Sequence, residues 1–223
     1  MSRERILGAI RITLDAETRE ATRRQSAAAR LAHPVVHPRP GRTLRPTGEL
    51  LQQFKDFQHT LGVTVMEVEA PPEIPAAIAG YLHALGLPLR LRRGTDPLLS
   101  GLPWESAPSL EISAGRAQDG DTAGLSRAVA GVAETGTLAL GSGSDNPVTL
   151  GFLPDTHLVV LRADTLVGSY EEACAMVLAE NGGRMPRTLN LVTGASRTGD
   201  IGGKIVVGAH GPRRLAVFLL GNG

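Results

Sequence analysis

Short apolar runs alternate with amphipathic stretches along most of this chain. The runs VTVMEV (63–68), LPLRL (87–91), GTLAL (136–140), HLVVL (157–161), TLNLV (188–192) and LAVFLL (215–220) have the length and β-branched content of buried strands. Between them lie helical patterns. ELLQQFKDFQHTLG carries Leu50, Leu51, Phe54, Phe57 and Leu61, and PPEIPAAIAGYLHALG opens with prolines that a first helical turn tolerates. TAGLSRAVAGVAE (122–134) is expected to be helical as well. SYEEACAMVLAENGG is the clearest helix: Ser169 and Glu172 make a capping box, and Asn181-Gly182 supplies the left-handed stop. Cys174 lies beside its apolar stripe and is expected to be a small core residue. Residues 94–118 are irregular. This alternation predicts an α/β fold, a mostly parallel sheet flanked by helices.

The first residues differ. Ile6, Ile10 and Leu14 recur every four positions, predicting a helix over 3–31 whose second half is polar and alanine-rich. Pro34, Pro38, Pro40 and Pro46 then exclude helix and mark an extended tether. The expected organisation is an N-terminal helical arm with its tether over 1–47 and one α/β domain over 48–223.

Composition narrows the chemistry. A single cysteine, Cys174, excludes an internal disulfide and a cysteine-ligated iron–sulfur cluster within this chain. No histidine or carboxylate spacing suggests a metal, since Pro34 and Pro38 keep His33 and His37 off a common helical face. The residues imply no cofactor. The first fifty residues hold ten arginines and five acids, a balance that can attract nucleic acid. Aromatic residues are only 3% of the chain, so stacking platforms are scarce and nucleic acid is not the expected partner. No apolar stretch is long enough for a membrane helix and no secretory signal opens the chain, so a cytoplasmic protein is expected.

Two glycine-rich segments invite a nucleotide reading, and both fail it. In TGASRTGDIGGK the phosphate-loop spacing breaks at Thr198 and again at Ile205. GSGSDN (141–146) lacks the last glycine of a dinucleotide fingerprint, and Pro147 blocks the helix that should follow. Read by position, TGASRTGD follows a strand end, where open parallel sheets gather ligands. There Ser196, Arg197, Thr198 and Asp200 would form a polar cluster, with Arg197 able to grip a carboxylate or phosphate. The same residues would equally serve a turn that caps a following short helix. Glu134, the one acid in a small and apolar neighbourhood, and His210, in a turn beside Gly211-Pro212, are the candidate catalytic groups. A structural role for His210 fits as well.

AETGTLAL, LPDTHLVVL, TGASRTGDIGGKIVVGAHGP and RRLAVFLL, in this order, resemble the lactate-utilisation protein C (LUD-domain) family from about residue 50 onward. The resemblance implies a fold like that of glucosamine-6-phosphate deaminase, ribose-5-phosphate isomerase and the CoA-transferases. It also implies a role in oxidising lactate to pyruvate alongside iron–sulfur partner proteins. In that role a small anionic ligand is expected near Thr135, Gly136, Thr137, Ser196, Arg197, Thr198, Asp200 and Gly211. Where family members read SRTADIE, this chain has Gly199 and Gly202, so it lacks the final carboxylate. The fold group also admits a stand-alone CoA-transferase-like or folate cyclo-ligase-like enzyme with Glu134 as nucleophile.

Overall fold

The computed structural model describes residues 2–14, 16–33, 35 and 37–221. Two compact units result, Met1–Arg39 and Pro40–Gly223. The first holds α1 (Arg3–Leu14) and α2 (Ala16–Ala32). Asp15 of the expected arm helix and Pro34 of the expected tether lie outside the described residues.

The second unit runs α3 (Thr47–Thr60), β1 (Thr64–Val68), α4 (Ile74–Ala84), β2 (Arg90–Arg93), α5 (Pro97–Ser100) and β3 (Glu111–Ala114). It continues with β4 (Ala123–Arg127), β5 (Ala130–Val132), β6 (Thr137–Gly141), β7 (Thr156–Arg162) and β8 (Leu166–Val167). The last elements are α6 (Tyr170–Glu180), β9 (Leu189–Val192), β10 (Arg197–Ile201), β11 (Lys204–Val207) and β12 (Arg214–Leu220).

Six strands, ordered β1-β12-β7-β4-β2-β3, form a wholly parallel sheet. Its central strands β7 and β12 are buried on both faces, which is why their sequences are continuous apolar runs. Alternation sorts their side chains. Leu158, Val160, Ala216 and Phe218 face Ile74, Ile78 and Leu82 of α4, while Val159, Leu161, Val217 and Leu219 face Phe54 of α3 and Leu138 of β6. A smaller sheet, β8-β5-β6-β9, lies on that second face and is covered in turn by Ala173 and Val177 of α6. The mostly parallel α/β fold is as expected.

Three expectations need correction. TAGLSRAVAGVAE is not a helix but two strands, β4 and β5, belonging to different sheets. Its alanines favour a helix, yet its glycines here permit close layer packing. A β-carbon on Gly131 would stand 2.7 Å from Leu161 Cδ2 and 2.8 Å from Leu166 Cδ1, and one on Gly124 would run into the Leu150 carbonyl. Second, LNLV is not a strand of the parallel sheet. It is β9, the edge of the smaller sheet, antiparallel to β6. Arg197–Ile201 is neither a turn nor a helix cap but one arm of an antiparallel hairpin with β11.

Candidate functional site

The ETGT segment turns the chain from β5 into the antiparallel strand β6. Gly136 holds φ 65°, and a β-carbon there would come within 2.7 Å of Phe57 Cβ, so the turn presses directly on α3. Buried Gln58 fastens it by donating Nε2 to the Gly136 carbonyl at 3.1 Å. Glu134, 13% exposed at its side chain, accepts from the Arg42 guanidinium. The segment bearing Arg42 is itself pressed down: Thr43 is buried, and any side chain on Gly168 would collide with its carbonyl.

Beneath this turn four hydroxyls share one network. Thr137 Oγ1 lies 2.6 Å from Thr135 Oγ1, 2.6 Å from Thr193 Oγ1 and 2.8 Å from the Tyr170 hydroxyl, which is also 2.8 Å from Thr135. The network ties the ETGT turn to the first residue of TGASRTGD. Gly194 then packs on Leu61, and Arg197 Nη2 donates to the Leu61 carbonyl at 3.1 Å, at the C-terminal end of α3. A cation there is favoured by the helix dipole. Arg197 is exposed, and among the described residues no carboxylate pairs with it.

The hairpin also meets the last candidate segment. Ser196 N donates to the Pro212 carbonyl at 2.9 Å, and Ser196 Oγ accepts from the backbone N–H of His210 at 3.3 Å. Gly211 lies against Ser196 and Phe152. Asp200 Oδ2 accepts from Thr198 Oγ1 at 3.2 Å. The structure therefore joins Thr135, Thr137 and Thr193 in one network, and Ser196, His210 and Gly211 in another, with Arg197 between them. Among the described residues no hydrogen bond or ion pair links Glu134, Arg197 and His210 to one another. The hairpin and the His210 turn directly precede β12, so this face lies at the amino end of the parallel sheet, not beyond the carboxyl ends expected from sequence.

Arg42 and Tyr170 were not foreseen as neighbours of the site. Arg42 meets Glu134 across 92 residues and Tyr170 meets Thr135 across 35, separations that carry no local signal. His157 was read only as part of a strand. It is buried, bonded to Ser126 Oγ at 3.1 Å through Nε2, and burial lowers its pKa to about 4. The chamber it borders measures about 10 Å³, room for no ligand larger than a water.

Among the described residues, no helix is long and apolar enough to cross a membrane. The LUD domain family profile matches residues 91–220. A "Lactate utilization protein C" of Deinococcus radiodurans is 33% identical over 183 residues, covering 78% of this chain and 80% of that protein. The chain belongs to the LUD-domain family. A protein of the same name from Geobacillus kaustophilus is 34% identical over 91 residues, 40% of this LUD-domain chain and 38% of its relative. A solved structure titled as a DUF162 family protein from Deinococcus radiodurans superposes with TM-score 0.58 at 28% identity. That alignment covers 79% of the LUD-domain chain and 99% of the other, and the fold is shared.

Proposed function

We propose that this LUD-domain protein is an accessory, ligand-binding subunit of a lactate-oxidising system, holding a small anion such as lactate or pyruvate at Arg197. The names of its relatives support the metabolic setting. Cysteine content supports the accessory role. Oxidising lactate to pyruvate releases an electron pair, and a chain whose one cysteine is Cys174 has too few thiolates to carry it on a cluster. The electrons pass to partner proteins, and iron–sulfur proteins are the class proposed. The soluble compartment proposed for this work is the cytoplasm.

One observation carries the anion site. Arg42, Arg92, Arg127 and Arg162 each have a carboxylate partner, whereas among the described residues Arg197 meets only the Leu61 carbonyl at a helix end. Its remaining N–H groups suit a carboxylate fork, flanked by Ser196 and Thr198, with Asp200 orienting Thr198. Thr135, Gly136 and Thr137 shape the adjoining wall through Thr193, and His210 and Gly211 border Ser196. Nucleophilic use of Glu134, as in a CoA-transferase-like enzyme, gains no support, because Arg42 occupies its carboxylate.

Calorimetric titration of Arg197→Ala with lactate and pyruvate tests the assignment. A charge-assisted contact is worth about 1.5–3 kcal/mol, so affinity should fall roughly ten- to a hundredfold in a protein that still melts cooperatively. Unchanged affinity would remove Arg197 from the site.

A further inference from the structure

A polar cleft of about 390 Å³ opens at the other end of the sheet, where the carboxyl ends of β2 and β4 lead into Asp96 and Arg127. This is the position at which open parallel sheets gather ligands. Its wall includes Ser142, Asp145 and Asn146 of the GSGSDN loop and Glu180 at the end of α6.

Arg127 divides its fork between two carboxylates of unequal standing. Nε donates to Asp96 Oδ2 at 2.6 Å. Asp96 is buried and fixed, since its other oxygen caps α5 by accepting from Leu98 N at 2.9 Å. The Nη pair meets Glu180, with Nη1 3.4 Å from Oε2 and Nη2 on Oε1. Glu180 is 46% exposed. It stands in the last turn of α6, where the helix dipole disfavours a negative charge. The inner carboxylate is structural, and the outer one is partly exposed to solvent.

We propose that Glu180 occupies a carboxylate-binding slot, and that a small 2-hydroxy monocarboxylate displaces it to bind Arg127 in the cleft. The other groups on the wall select the ligand. Asp96 and Asp145 add negative charge, which disfavours a dianion such as phosphate. Asn146 spends both Nδ2 hydrogens on the carbonyls of Arg127, at 3.2 Å, and Gly141, at 3.1 Å, so it offers the cleft no donor, and its Oδ1 is buried without a partner among the described residues. Asp145 adds a carboxylate that lies over Gly143, where any side chain would collide with it. The cleft's spare capacity is thus largely for accepting hydrogen bonds. An α-hydroxyl donates and satisfies it; a keto oxygen does not.

The choice of lactate as probe rests on the proposed function, whereas acetate tests the slot alone. Side-chain amide NMR of Asn146 during titration with each acid should show Glu180→Ala binding acetate about two- to fivefold more tightly than the unsubstituted protein. Lactate should bind more tightly than acetate in both, and Arg197→Ala should leave these responses intact. No gain in Glu180→Ala would overturn the slot. Equal affinity for acetate and lactate would overturn the hydroxyl preference, and loss of the response in Arg197→Ala would assign it to the other face.

Discussion

At His157 burial alone sets the protonation state. The imidazole packs against Gly151 and Ser126 with its pKa lowered from 6.5 to about 4 by desolvation. The unfolded chain takes up a proton near the ordinary value while the folded chain resists it. This contribution to stability is therefore complete above pH about 6.5 and is lost progressively as pH falls through about 4. Its size is on the order of 3 kcal/mol. Urea unfolding across that interval should show the steep pH dependence in the unsubstituted protein and a flatter one in His157→Gln. Equal slopes would mean that His157 is charged in the folded state. Nothing in HLVVL hinted at this, because a histidine in a strand can face solvent or core and only the neighbouring layers decide.

Among the elements, α6 shows how local chemistry becomes structure. Ser169 Oγ accepts from Glu172 N at 3.4 Å, and Glu172 Oε2 accepts from Ser169 N at 3.1 Å, the reciprocal box that four residues of sequence announced. Ser169→Ala should cost about 1 kcal/mol and lower the melting temperature by roughly 2–4 °C. An unaltered thermal midpoint would show that packing of Ala173 and Val177 sustains the helix without its cap. The strands β7 and β12 were legible for a different reason, since burial on both faces forces uninterrupted apolar runs. What misled was β4–β5. Alanine favours a helix in isolation, and only Leu150, Leu161 and Leu166, supplied from elsewhere, show why Gly124 and Gly131 must be small. The hairpin β10–β11 was equally hidden, because Gly202 and Gly203, with φ 62° and 71°, read as a flexible loop until they are seen turning one strand into the next.

For the whole molecule, sequence conveyed the layered α/β class and the family, whose profile spans residues 91–220. The placement of the candidate residues depended on which sheet each strand joins. Assigning LNLV to the smaller sheet moves Arg197 and His210 to the amino end of the parallel strands, and leaves the carboxyl end to Arg127 and Glu180. Glu134, a candidate catalytic group, meets Arg42. The central claim is that the hairpin bearing Arg197, together with the His210 turn, receives the anion. Backbone amide NMR of the full chain titrated with lactate examines it most directly. Within residues 193–200 and 208–212 the account predicts shift changes that saturate with a single affinity and are absent in Arg197→Ala. Failure of both segments to shift in the unsubstituted protein, or persistence of their shifts in Arg197→Ala, would contradict it.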